Sequence, residues 1–182
     1  MQIIYITLHH ITQLQARTTF ALNANVVDTL AGLQGPGQVW GADGIAQGFE
    51  EADLKGYDNF GLFVQRLQES GVAANLAAAG PFTVFAPTDT AIQSYELTRG
   101  PFDANAINYC IVPGQISSAG ISTTPLTTAS GESLTYSRKF RKDFVNDSII
   151  GEKTFGQFAD FPTDVAADNG VIHSVGIVPE RP

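Results

Sequence analysis

The stretch GPFTVFAPTDTAI, residues 80–92, joins a predicted strand to a predicted helix. Apolar side chains alternate along Phe82–Ala86, and Pro87 has no N–H with which to continue a strand ladder. Thr88 and Asp89 follow at once, and both are residue types whose side chains accept hydrogen bonds from the free N–H groups at a helix start. The stretch therefore predicts a strand that ends at the proline and a helix capped by Thr88 or Asp89.

The patterns on both sides of this stretch predict short helices first and strands afterwards. Apolar residues recur at helical spacing over Phe60–Leu67, with Asp58 as the expected N-cap, and Val72–Ala79 predicts a second helix. Another short helix is expected over Asp103–Asn108, leading into an apolar strand, NYCIVPG, at residues 108–114. The remaining sequence shows β-branched and aromatic runs divided by turn residues. This order predicts an α+β domain built around a sandwich or wedge of strands.

The residues before this pattern divide into two segments. Residues 1–27 contain no acidic residue and one arginine, so we expect either a plain N-terminal arm or part of an organelle transit peptide. Residues 28–56 are rich in glycine and form the predicted docking arm, in which Trp40 and Phe49 are the expected anchors. The surface that receives this arm belongs either to the same chain or to a partner. The domain itself is expected to occupy residues 57–180.

Composition excludes several classes of function. The chain has 182 residues, 43% of them hydrophobic, which is enough for one packed domain. Its net charge of −8 argues against nucleic-acid binding, because such affinity depends on Lys and Arg at phosphates. There is no apolar run long enough for a transmembrane helix. The single cysteine, Cys110, excludes an internal disulfide and a multi-cysteine metal site, and it favours a reducing compartment slightly.

Two segments of this sequence resemble the signature segments of the fasciclin domain: residues 80–92 and NGVIHSVGIVP at residues 169–179. Their order and spacing, and the helical lead-in from Tyr57, match that family over about two thirds of the chain. The resemblance implies a fasciclin-like fold with flanking helices and no enzymatic activity. It also implies a set of structural positions, which are Thr83, Phe85, Pro87, Thr88, Asp89, Tyr109, Asn169, Gly170 and His173. The family commonly has a Tyr-His pair on a strand, but here Tyr109 is followed by Cys110.

The residues themselves also point away from catalysis. The chain lacks a Gly-x-Ser-x-Gly elbow, a phosphate loop, a His-Glu-x-x-His motif and a dinucleotide fingerprint, so we expect no cofactor and no metal. The sequence leaves three alternatives open: a Cys110–His173 dyad, thioether attachment of a chromophore at Cys110, and metal binding by His9 and His10. A lone cysteine or histidine in an apolar strand is more typical of a packed core residue.

A cluster of positive charge interrupts this acidic sequence. Four of its ten basic residues lie within the segment RKFRK, namely Arg138, Lys139, Arg141 and Lys142, with Phe140 between them. We term residues 138–142 the basic hairpin, because strand-like sequence lies on both sides. Its charge opposes that of the whole chain, which favours docking onto an acidic protein surface over a merely solvated loop. Asn146 begins an Asn-Asp-Ser sequon, which matters only if the protein is secreted.

These observations lead to two expected functions. In the favoured one, the chain is a linker that helps to assemble a large plastid light-harvesting complex, at the stromal side of the thylakoid. The acidic domain with its apolar arm resembles the fasciclin-domain linkers of red-algal phycobilisomes, which implies acidic phycobiliproteins as partners. In the alternative, the chain is a secreted or cell-surface adhesion module of the fasciclin kind.

Overall fold

The computed structural model describes residues 24–38, 56–78, 80–151 and 160–181, and it has a helical half and a β-rich half. The helices are α1 (Val26–Gly32), α2 (Gly61–Glu69), α3 (Val72–Ala77), α4 (Asp89–Arg99) and α5 (Ala104–Tyr109). The strands are β1 (Gly37–Gln38), β2 (Gly56–Tyr57), β3 (Phe82–Pro87), β4 (Ile111–Pro113), β5 (Leu126–Thr127), β6 (Ser133–Leu134), β7 (Tyr136–Lys139), β8 (Lys142–Val145), β9 (Ser148–Ile149), β10 (Val165–Ala167) and β11 (Gly170–Val175). The predicted α+β class is confirmed.

A four-stranded sheet at the centre joins the two halves. Its order is β10-β11-β3-β4, and the two signature strands β3 and β11 lie side by side in parallel, with Phe82 opposite Gly170. Every residue of β11 and all but the first of β3 are buried. Neighbouring residues of a strand face opposite sides of the sheet, so an alternating pattern would leave either Val84 or Phe85 exposed. Both are buried here because both faces of β3 are covered.

The two faces of this sheet support two separate cores. Val84 and Ala86 of β3 pack in a cluster with residues of all five helices. Phe85 points the other way, because successive strand side chains alternate, and it packs with Val145 and Val175 in a cluster of the β-rich half. Burial of each such side chain contributes about 2 kcal/mol to folding. The β-rich half also contains the three-stranded sheet β7-β8-β9.

One predicted strand begins later than its sequence indicates. Asn108 and Tyr109 complete α5 and Cys110 is its C-cap, so the prediction that NYCIVPG is a strand is wrong for its first three residues. Asp103 caps the start of the helix by accepting the N–H groups of Asn105 and Ala106 at 3.0 Å each, and near its end Ile107 and Tyr109 are buried. Only Ile111–Pro113 remain to pair with β3.

The predicted arm segments contribute to the domain where the structure describes them. Residues 26–32, which cross the boundary between the two predicted segments, form α1, and its Val26 and Leu30 are buried in the helical core. Trp40 and Phe49, the expected anchors, lie outside the described residues, as do His9 and His10. The boundaries of these segments stay a prediction.

Candidate functional site

Two aspartates at the joint between strand and helix exchange their capping roles. The position of Asp58 just before α2 predicts that it caps that helix, but it does not. Its Oδ1 instead accepts the N–H of Thr90 in α4 at 2.9 Å. Asp89, in the first turn of α4, accepts the N–H of Leu62 in α2 at 2.7 Å. Thr88 is the local N-cap of α4 and accepts the N–H of Ala91 at 3.4 Å. The prediction for Asp58 is therefore wrong, because each carboxylate reaches the neighbouring helix.

This exchange predicts the effect of removing the Asp89 carboxylate. We expect Asp89→Ala to lower the free energy of unfolding by about 1 kcal/mol, as lost caps do. Asp89→Asn keeps an oxygen that accepts the Leu62 N–H, so it should lose less stability. Urea unfolding of both variants and of Asp58→Ala tests the account. Equal losses in the alanine and asparagine variants of residue 89 would contradict it.

The second signature segment begins with a hydrogen-bonding junction. The Asn169 side chain accepts the N–H of Val26 at 2.9 Å and donates to the carbonyl groups of Leu76 and Ala78 at 2.6 and 3.0 Å. Its own carbonyl accepts the N–H of Phe82 at 2.9 Å. One residue thus ties α1 and the end of α3 to the start of β3.

Thr83 and Gly170 secure the same end of the signature strands. Thr83 is fully buried, and its hydroxyl donates to the carbonyl of Gly114 at 2.7 Å and accepts the N–H of Ile116 at 2.9 Å. Gly170 lies so close to β3 that a Cβ placed on it would be 2.2 Å from the carbonyl oxygen of Phe82. At the other end of the pair, Pro87 lies opposite Val175.

His173 is completely buried beside Phe85, with 5.7 Å between the ring centroids. Its Nε2 lies 2.8 Å from the Ile116 carbonyl oxygen, which only accepts, so Nε2 carries the proton. Nδ1 therefore accepts from the Thr163 hydroxyl at 3.0 Å and from the Asp164 N–H at 3.3 Å. Burial lowers the pKa of His173, which the Ile116 hydrogen bond and the Asp164 carboxylate only partly offset. The ring is thus a neutral bridge between two loops.

The Asp164 carboxylate extends this bridge to a third group. It accepts hydrogen bonds from the N–H of Ser118 at 2.8 Å and from the Ser118 hydroxyl. Burial acts to raise the pKa of Asp164, but the two hydrogen bonds from Ser118 oppose it and the pKa is lowered. The segment that contains Ser118 is thereby held to the residue immediately before β10.

The depressed pKa of His173 makes stability depend on pH. An unfolded histidine takes up its proton near pH 6.5, whereas the folded one does so only at lower pH. The stability is therefore complete above about pH 6.5 and is lost as the pH falls through the folded pKa. Between pH 7 and 5 we expect the protein to lose about 1 kcal/mol more than His173→Gln does. Urea unfolding of both proteins at several pH values measures this difference. The same change in the free energy of unfolding with pH in both proteins would refute it.

Cys110 is a core side chain rather than a reactive one. It is completely buried in the helical core, and burial raises the pKa of its thiol to about 12. Neither nitrogen of His173 contacts it, since both have other partners. The dyad and thioether alternatives thus lack the accessible thiolate that they need. Among the residues that the structure describes, no cluster of three or more His, Cys, Asp or Glu is placed to hold a metal ion.

Tyr109 and Asn146 form a second junction, in the β-rich half. The Nδ2 of Asn146 donates to the Tyr109 hydroxyl at 2.9 Å and to the Glu180 carbonyl at 2.6 Å. The Tyr109 hydroxyl donates in turn to the Ser133 carbonyl at 3.2 Å, and the Arg181 guanidinium lies 5.5 Å from the Tyr109 ring centre. The nitrogen that would carry a glycan in the sequon therefore uses both of its hydrogens inside the folded domain.

The basic hairpin projects from the three-stranded sheet. Strands β7 and β8 pair with Arg138 opposite Asp143 and Lys139 opposite Lys142, which leaves Phe140 and Arg141 as the two-residue tip. Both tip residues have positive φ, 53° and 64°, and the Phe140 side chain is 94% exposed. Arg138 contacts Asp143 at 3.1 Å. Five of the predicted docking residues, those of the basic hairpin, thus lie together at one exposed tip.

The signature residues and the basic hairpin lie in different parts of the fold. Thr83, Asp89, Asn169 and His173 hold elements together through groups that are partly or wholly buried. The hairpin presents charge and an aromatic ring to solvent. No helix within residues 24–38, 56–78, 80–151 and 160–181 is long and apolar enough to cross a membrane.

Comparison with known proteins identifies the family. A sequence model of the fasciclin domain matches residues 58–178, which include nearly all of both signature segments. The chain is 30% identical over 131 residues to Protein sll1483 of Synechocystis sp., covering 66% of each protein. It is 29% identical over 137 residues to the transforming growth factor-beta-induced protein ig-h3 of Sus scrofa, covering 71% of this chain and 19% of that protein.

A fasciclin domain pair from the insect cell adhesion molecule Fasciclin I aligns with a TM-score of 0.45 and 15% identity, over 64% of this chain and 43% of that chain. This chain spans about two thirds of the length of the Synechocystis protein and about a fifth of the length of ig-h3. With more than half of its residues matched by the family model, the chain belongs to the fasciclin domain family.

Proposed function

We propose that this fasciclin domain is a non-catalytic interaction module that docks through its basic hairpin onto an acidic protein surface. Fasciclin domains are commonly adhesion or protein-interaction modules. The observation that carries the proposal is the tip of the hairpin. Two-residue hairpin loops with positive φ at both positions strongly prefer Asn and Gly, whereas this tip has Phe140 and Arg141. Side chains unfavourable to the local backbone are typical of functional positions.

The charges at the tip also support docking. Lys139 and Arg141 have no carboxylate within ion-pair distance among the residues that the structure describes. They stand on a protein whose net charge is −8, so the hairpin orients an approaching acidic surface toward itself. Phe140 is then positioned to lose most of its exposed apolar surface on contact, which adds affinity that salt does not screen.

We propose a linker role in a plastid assembly of acidic light-harvesting subunits, supported by the transit-like residues 1–27 and by the charge contrast between hairpin and chain. The adhesion role is the second candidate, supported by the family's common use as an adhesion module. The engaged Nδ2 of Asn146 favours the linker over a glycosylated, secreted form.

Reversing the charge of the hairpin tests the docking role. We expect Lys139→Glu combined with Arg141→Glu to reduce co-sedimentation with the native partner by about tenfold at low salt, with a smaller difference at high salt. Reversal of Arg138 should add to this loss. Arg99→Glu is the matched control, since Arg99 is also exposed but pairs with Glu180 at the surface of the helical half. Gentle extraction, gradient sedimentation and mass spectrometry give the measurement.

The same experiment separates the candidates. Co-sedimentation with a pigment-bearing complex supports the linker role, and a small glycosylated species from the secreted fraction supports adhesion. If the hairpin variant and the Arg99→Glu control co-sediment equally with the partner at every salt concentration, the hairpin is not the docking surface.

A further inference from the structure

The hydrogen bonds of β8 show which backbone groups of β7 face outward. The carbonyl of Asp143 accepts the N–H of Ile150 at 2.9 Å, so the backbone of Asp143 faces β9. Three residues on, the N–H of Asn146 donates to the Thr135 carbonyl at 2.8 Å, so the backbone of Asn146 faces the other side. Antiparallel ladders alternate in this way along each strand, and these two bonds fix the alternation for the whole hairpin.

The outward-facing groups belong to Tyr136 and Arg138. These residues lie opposite Val145 and Asp143, whose backbones face β9, so their own N–H and C=O groups point away from β8. Strand β7 is the edge of its three-stranded sheet, and no described residue pairs with its outer side. The edge thus offers two donors and two acceptors beside the cations of the tip, which is the arrangement that strand addition uses.

We propose that β7 receives an extended, acidic segment of the partner protein as an added strand, so that the sheet gains a fourth member. Arg138 and Lys139 point to opposite faces of the hairpin, so carboxylates on either face of the added strand lie near a cation. The proposal rests on the proposed docking function and specifies how the partner is held. A second copy of this chain is a poorer occupant, because each copy carries the positive charges of Arg138 and Lys139 along this edge and like charges on paired strands repel.

Hydrogen exchange of the unmodified protein tests strand addition directly. The probe is a terminally blocked peptide that alternates glutamate and valine, and the control is the same peptide with proline at its centre. On adding the probe, the amides of Tyr136 and Arg138 should exchange at least about tenfold more slowly, while the control peptide leaves them unchanged. Ser137 and Lys139, whose amides already face β8, serve as internal references.

A pair of variants at one position gives an independent test. Arg138→Pro removes the outward N–H without touching the bonds between β7 and β8, and Arg138→Gln removes the same charge but keeps the N–H. We expect the proline variant to bind the peptide about tenfold more weakly than the glutamine variant in fluorescence anisotropy. If the proline variant does not fold, the hydrogen-exchange experiment on the unmodified protein is the deciding test of strand addition.

The outcomes separate this proposal from the docking function. If Lys139→Glu with Arg141→Glu abolishes peptide binding but the two amides are never protected, docking holds and strand addition is wrong. If charge reversal has no effect, the docking surface itself is wrong. Self-association through β7 in sedimentation, or no peptide binding at low salt, would overturn the proposed acidic occupant.

Discussion

Gly170→Ala should lower the free energy of unfolding by about 3 kcal/mol or more, because the added methyl group would overlap the backbone of the neighbouring strand. The added Cβ would lie 2.2 Å from the Phe82 carbonyl oxygen and 3.0 Å from its carbonyl carbon. These atoms are backbone and cannot rotate away. Strands β3 and β11 would have to separate at the centre of the sheet, where both of their faces are packed.

The matched control for this prediction is Gly32→Ala. The added methyl group at this position of α1 would meet nothing within 4 Å, and alanine favours helices more than glycine does. We expect its stability to be unchanged or raised by about 0.5 kcal/mol. Urea unfolding monitored by circular dichroism measures both variants. A loss below about 1 kcal/mol for Gly170→Ala would show that β3 and β11 do not approach so closely.

Asn169→Ala should cost about 2 to 3 kcal/mol, because one side chain satisfies three backbone groups. Without its amide, the Val26 N–H and the carbonyl groups of Leu76 and Ala78 lose their partner. Asn169→Asp should cost at least as much. It replaces the NH2 group, which donates to the carbonyl oxygens of Leu76 and Ala78, with a carboxylate oxygen that cannot donate and is repelled by them. Its backbone bond to Phe82 is retained in every variant, so the loss reports the side chain alone.

The control for Asn169 is Asn75→Ala, in the exposed part of α3. Asn75 has no side-chain hydrogen bond in the described structure, and alanine is the better helix former. We expect its unfolding midpoint to change little or to rise. If Asn169→Ala and Asn75→Ala unfold at the same urea concentration, Asn169 does not connect α1, α3 and β3 as described.

Local patterns predicted the strand-to-helix joint because its determinants are local. A strand that ends at Pro87 and a helix start at Thr88 follow from residues only one or two positions apart. The exchange of caps between Asp58 and Asp89 could not be predicted, because a cap is assigned by default to the nearest helix along the chain. Only the packing of α2 against α4 brings each carboxylate to the other helix.

Other contacts between elements distant in sequence could not be predicted either, because they depend on how those elements pack. Asn169 looks like an ordinary turn residue before Gly170, and nothing nearby in sequence indicates the carbonyl groups that it satisfies. The apolar residues after Cys110 predict a strand at that position, whereas the helix that begins after Asp103 continues to the buried Tyr109. The basic hairpin was predictable because a two-residue tip and its charges are contiguous.

The parallel pairing of β3 with β11 also governs how the protein is made. Phe82 and Gly170, which pair, stand near opposite ends of the domain sequence, so this contact closes late and at a high cost in chain entropy. During synthesis, β3 leaves the ribosome long before its central neighbour does, with an apolar strand edge uncovered. A nascent chain that stalls before Gly170 therefore presents a strand prone to aggregation, and we expect such chains to depend on chaperones until translation reaches β11.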